Sequence, residues 1–173
     1  GRLTLNPFAH IDLLGALMIF LCGFGYAKPV SVNPRNFKDP KKGMAITAVA
    51  GPISNLIMGF LFTFLSVFVQ VVFYKLDALL LYPICSFLYF AAAINVNLAV
   101  FNLLPIPPLD GSRILQLLIP AKYYYKFLQY ERYVTIVVFV LILSGVLSAP
   151  LSIASSFLLN LFSKIAALPF SIF

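Results

Sequence analysis

The chain is 173 residues long, the length of one domain, and is 62% hydrophobic and 10% charged, with a net charge of +7. Soluble globular domains carry about 25% charged residues, so this composition excludes a soluble fold and predicts an all-α polytopic membrane protein, one integral membrane domain over residues 1–173 in a lipid bilayer. Nucleic acid is not expected as a partner despite the charge, because the basic residues lie between apolar runs, where Lys and Arg orient membrane segments.

In chain order, Gly1–Asn6 alternates Leu3 and Leu5 with polar neighbours, a short strand pattern that Asn6-Pro7 ends. The chain opens without Met and without the basic-then-apolar layout of a cleavable signal peptide. This leads us to expect a further segment upstream of Gly1. His10 and Asp12 stand at the mouth of the apolar run Leu13–Tyr26. That run is shorter than the ~20 residues a span needs, so it either crosses by borrowing its flanks or dips in and returns. Ala27–Val32 alternates again, and the two strand patterns together predict a small membrane-associated β-sheet or hairpin near the N-terminus. Cys22 and Cys85 each lie inside an apolar run and form no C-x-x-C pair, which predicts free buried thiols.

A basic stretch follows, with Arg35, Lys38, Lys41 and Lys42, and then an uncharged segment runs from Gly43 to Tyr74. Within it Gly51, Asn55, Gly59 and Thr63 recur every four residues and share one helical face, where small residues let a neighbouring helix approach closely. Pro52 interrupts the backbone hydrogen bonding of this helix. Lys75-Leu76-Asp77 reads as a turn, and Ala78–Leu104 is a second uncharged run of spanning length. It ends in Asn102-Leu-Leu-Pro-Ile-Pro-Pro-Leu-Asp-Gly111, where Pro105, Pro107 and Pro108 must break the helix and deliver Asp110. A carboxylate at the end of a membrane-length segment is costly unless it is paired or binds something, and irregular backbone at that depth belongs to the wall of a site.

Beyond it, Gly111–Ile119 reads as a short helix ended by Pro120, and Lys122–Tyr133 as an interfacial Tyr/Lys belt. Val134–Ala149 is a further spanning candidate stopped by Pro150. Leu151–Phe173 is a last span or an interfacial helix, giving about four to five membrane segments in all. Five basic residues fall in 28–42, one in 75–77 and four in 105–132, an alternation that predicts cytoplasmic 28–42 and 105–132 loops.

Asn102, Pro105 and Leu109-Asp110-Gly111 resemble the N-x-x-P-x-x-x-L-D-G signature of the site-2 proteases, intramembrane zinc metalloproteases. Gly1–Pro7 with His10 and Asp12, Ala27–Val30 with Asn33-Pro34-Arg35, and Ala50–Asn55 resemble further stretches of the compact prokaryotic branch. The resemblance covers residues 1–113, a motif-bearing core followed by C-terminal helices over 122–173. It implies a zinc-dependent endopeptidase of transmembrane substrates in a bacterial or archaeal cell membrane, with Asp110 as the carboxylate ligand of one Zn2+ and Asn102 and Asn55 beside the catalytic centre. It also implies a surface sheet whose edge holds an unwound substrate. The H-E-x-x-H helix that brings the other two ligands and the general base is not in the sequence, whose one His is His10 and whose one Glu is Glu131. Three other readings remain open: an inactive homologue that binds transmembrane peptides or a partner protein, a small transporter, and Asp110 as a simple helix cap. The substrate and oligomeric state are not legible.

Overall fold

The computed structural model describes residues 4, 6–22, 27, 28, 32–73 and 78–170. They form six α-helices: α1 (Leu13–Cys22), α2 (Pro40–Val72), α3 (Ala78–Asn102), α4 (Asp110–Leu118), α5 (Ala121–Leu143) and α6 (Ser148–Ala167). Short 3-10 turns occupy Pro7–Ala9, Pro34–Asn36 and Leu168–Phe170. The chain divides into two units, residues 1–37 and residues 38–173.

In the first unit, Asp12 rather than a membrane anchor starts α1: its side chain accepts the Gly15 N–H at 3.1 Å, and its carbonyl accepts that of Ala16 at 2.8 Å. The His10 ring lies 3.1 Å from the Asn6 carbonyl oxygen, so His10 and Asp12 have separate partners. α1 has ten residues, about 15 Å, half the hydrocarbon thickness. The Lys28 N–H donates to the His10 carbonyl at 2.9 Å, bringing together the chain on either side of the 13–26 segment. The expected sheet is not found: among the described residues there is no strand, and Thr4, Asn6, Ala27, Lys28 and Val32 are irregular. Residues 1–3, 5 and 29–31 of the two strand patterns lie outside the described residues.

In the second unit, α2 begins where Pro40 takes a position whose N–H would have no intrahelical partner and Asp39 accepts the Lys42 N–H at 3.2 Å. The helix then runs 33 residues, about 50 Å, because nothing charged interrupts it after Lys42. α2 and α3 are antiparallel neighbours, and their seam is made of small residues. A Cβ on Gly59 would stand 2.8 Å from Val96 Cγ2. Ala92, Val96 and Ala99 are buried along the facing stripe of α3. α6 closes the bundle against α2 and α3, with Phe162 edge-on to Phe60 at 5.5 Å and Phe170 beside Phe64 and Phe68. Large apolar side chains such as Phe87, Phe90 and Phe157 point outward while small residues fill the core, the packing expected when lipid replaces water around the helices.

Among the described residues three helices are long and apolar enough to cross a membrane: Pro40–Val72, Leu81–Asn102 and Ser148–Phe170. The expected four to five segments are therefore not supported, and three candidates stand among the described residues. Val134–Ala149 fails as a span because the chain turns at Ser144–Leu147, where Gly145 takes φ +74°, a conformation open to glycine at little cost. Pro150, read as a stop, lies in the first turn of α6, where its missing N–H costs nothing. The apolar part of α5 continues the Lys/Tyr belt in one helix whose first half carries Lys122, Lys126, Glu131 and Arg132.

Candidate functional site

α3 ends at Asn102 because no N–H can follow from Pro105, and the chain then folds tightly on itself. The Leu104 N–H donates to the Phe101 carbonyl at 3.2 Å and that of Ile106 to Leu104 at 2.8 Å. A four-residue turn, Ile106–Leu109, closes at 3.0 Å around the cis peptide of Pro107–Pro108. The buried Leu109 carbonyl then accepts both the backbone N–H of Ser112 at 3.0 Å and its hydroxyl at 2.7 Å, which starts α4.

The turn brings the first residues of α4 back onto the last turn of α3. Gly111 lies so close that a Cβ there would overlap the carbonyl oxygens of Leu103 and Leu104. Only a residue without a side chain fits, which gives a physical reason for glycine after the aspartate. Asn102, the residue before Leu103, is thereby held next to the Asp110–Gly111 corner, half-buried at the C-terminus of α3.

Asp110 is the first residue of α4, and α2 faces it. A Cβ on Gly51 would stand 3.6 Å from Asp110 Oδ2, an ordinary contact, so the carboxylate lies over the exposed Gly51 that precedes the buried Pro52 in α2. Asp110 does not act as a cap: the capping residue of α4 is Leu109, and no side chain bonds to the helix amides there. Among the described residues the carboxylate has no hydrogen bond and no ion pair. Burial pushes the Asp110 carboxyl above the usual carboxylate range, and the positive charge of Arg113 acts in the opposite direction. Arg113 is itself committed elsewhere, donating to Glu131 of α5 at 3.2 Å and, more weakly, to Gln116 at 3.4 Å.

Asn55 is one helical turn beyond Gly51 on the same face of α2, half-buried. Asp110, Asn102 and Asn55 thus share one end of the α2–α3 pair, although no hydrogen bond joins either amide to the carboxylate. Neither amide has a hydrogen-bond partner among the described residues. Asn95, on nearly the same face of α3 as Asn102, spends its amide on the Ala91 carbonyl at 2.8 Å. Sequence reasoning missed the Arg113–Glu131 tie, which crosses from α4 to α5. Its one signal is that Glu131 is the sole glutamate, set among cations in an otherwise apolar half of the chain.

Among the described residues, no group of three His, Cys, Asp or Glu could hold a metal ion. The donors present fit one position of a catalytic zinc site, the carboxylate of Asp110, and fall short of the three protein ligands such a site takes.

Residues 15–145 match Peptidase family M50, the site-2 proteases. The chain belongs to this membrane-embedded family. It is 41% identical over 171 residues to "Putative zinc metalloprotease YwhC" of Bacillus subtilis, covering 95% of this chain and 77% of that one. "Zinc metalloprotease MJ0392" of Methanocaldococcus jannaschii is 34% identical over 88 residues, 51% of this chain and 23% of that protein. From the same organism, "Putative zinc metalloprotease MJ0611" is 31% identical over 105 residues, 60% and 50% of the two chains. No solved structure matches. At the level of the family, this is a zinc-dependent protease fold.

Proposed function

We propose that this chain forms the carboxylate-bearing wall of a zinc-dependent intramembrane endopeptidase that hydrolyses peptide bonds of transmembrane proteins. Asp110 is its carboxylate ligand. The two histidines and the general base come from an H-E-x-x-H helix outside these 173 residues. The observation that carries this reading is the half-buried Asp110 carboxylate, which among the described residues caps nothing, pairs with nothing and faces a glycine on α2. A carboxylate kept so is available to a cation.

Zinc, when bound, supplies Lewis acidity and activates water at neutral pH. The chain's own residues do the rest. Gly111 lets α4 start hard against α3, so the carboxylate is held by backbone contacts rather than by a flexible loop. Gly51 leaves room beside Asp110 for a peptide backbone. The amides of Asn102 and Asn55 donate to the scissile carbonyl as negative charge develops on its oxygen. Four basic residues in 105–132 against one in 75–77 support a site that opens toward the cytoplasm.

Elemental analysis of detergent-purified protein tests this, on this chain and on a product that also carries the H-E-x-x-H helix. The expected result is about one zinc per extended chain, lost in Asp110→Ala. Zinc retained by Asp110→Ala, or absent from both products, overturns the ligand assignment and favours a homologue that binds transmembrane peptides without cutting them.

A further inference from the structure

The flank of the second unit carries a groove that the proteolytic reading does not use. It lies between α2 and α4, has a volume of about 370 Å³, and is lined by aliphatic side chains alone. Two rows of α2 build one wall: Ala45, Val49 and Ile53 in the first, Ile46 and Ala50 in the second. Ile114 and Leu117 of α4 build the other. Because residues four apart share a helix face, continuing these rows one turn toward the N-terminus of α2 leads to Lys41 above the first and Lys42 above the second. The aliphatic groove therefore ends under two ammonium groups.

Lys41 reaches across to α4, its Nζ lying 3.5 Å from the Ile119 carbonyl oxygen, which draws the charge over the mouth of the groove. Lys42 faces Asp39 at 3.8 Å, and both side chains are at least half exposed, so that contact is weak and readily replaced. Lys38 adds a third cation from the same turn, and Asp39 is the one carboxylate there. Between Gly111 and Tyr130, over the rest of α4 and the start of α5, the chain carries no acidic residue.

The dimensions match one lipid leaflet. The rise from Lys42 to Ile53 is about 16 Å, and half of the ~30 Å hydrocarbon core is about 15 Å. A substrate helix, about 10 Å across, does not seat in a groove of this size. We propose that the α2–α4 groove binds an anionic phospholipid, with one acyl chain along the aliphatic rows and the phosphate at Lys41 and Lys42. The inference stands independently of the protease reading.

The chain contains no Trp, so one introduced indole reports its own surroundings. Leu117→Trp places it on the groove wall, and Phe87→Trp places it on an outward, 69% exposed position of α3. Each variant is reconstituted in vesicles containing brominated phosphatidylglycerol or brominated phosphatidylcholine, and quenching is compared. A basic residue near the surface favours anionic lipid by about fivefold, so Leu117→Trp should show about that preference for phosphatidylglycerol, and Phe87→Trp none. Lys41→Gln with Lys42→Gln should remove the preference, and Ala50→Phe should remove it by filling the groove. Should Leu117→Trp fail to fold, Ile114→Trp reports the same wall. Equal quenching by both lipids at both positions means that bulk lipid alone fills the groove, and overturns the proposal. So does a preference that survives Ala50→Phe, which would leave the lysines attracting headgroups without a seated chain. Failure of either lipid to quench in the groove overturns it as well, since a segment of protein or a second copy then covers the wall.

Discussion

Two levels of the α2–α3 pair, two helical turns apart, use glycine for opposite purposes. Midway along α2, Gly59 allows closest approach: a Cβ there would stand 2.8 Å from Val96, so its value is packing. Nearer the N-terminus of α2, Gly51 meets Asp110 at the ordinary distance of 3.6 Å, and its value is the space left above it. The same four-residue repeat runs through both, yet one level is closed by Ala92 and Val96 while the other presents a carboxylate and two amides without partners among the described residues. A stripe of small residues is thus two different things along one helix, depending on what stands opposite.

Substitutions can break this contrast. The largest effect is expected at Gly111→Ala, where the new methyl overlaps backbone that cannot rotate away. We expect a loss of about 3 kcal/mol or more, read as a fall in thermal stability in detergent. Gly59→Ala comes next, at about 1–2 kcal/mol. Because its obstacle is a side chain, combining it with Val96→Ala should cost less than the sum of the two, measured as a double-mutant cycle.

Gly51→Ala should change stability by no more than about 0.5 kcal/mol, since the added methyl meets only van der Waals contact. In the assembled, zinc-loaded protein it should nevertheless reduce cleavage of a membrane substrate. A Gly51→Ala chain as unstable as Gly59→Ala would show that both levels are packing seams. The smallest effect on the fold belongs to Asp110→Asn. Burial already disfavours the charged carboxylate, so the metal-free variant should melt at the same temperature as the parent or higher, whereas zinc retention by the extended protein should fall. A marked loss of stability in the metal-free variant would assign Asp110 a structural role.

Much of the fold was legible. Uninterrupted apolar runs marked α2 and α3, and the three prolines marked the break after Asn102, because hydropathy and the missing proline N–H act locally. The segment count was not. Val134–Ala149 reads as one apolar run, but Gly145 turns the chain before its end, and Pro150 lies in the first turn of a helix instead of ending one. Hydropathy is blind to both, since a helix start and a helix stop can carry the same residues. At the site, Asp110 stood out as a lone carboxylate. Its capping role was ruled out only by the geometry, in which Leu109 occupies the capping position without a side-chain bond.

By itself the sequence determined the class of the protein, the break at the prolines and the family, through short-range rules of charge, hydropathy and motif. Tertiary structure decided which glycine packs and which leaves room, that Arg113 is held by Glu131, and that aliphatic rows on α2 end under Lys41 and Lys42 beside α4. Each of these depends on which helix stands opposite, a relation between residues tens of positions apart that no local pattern in the chain encodes.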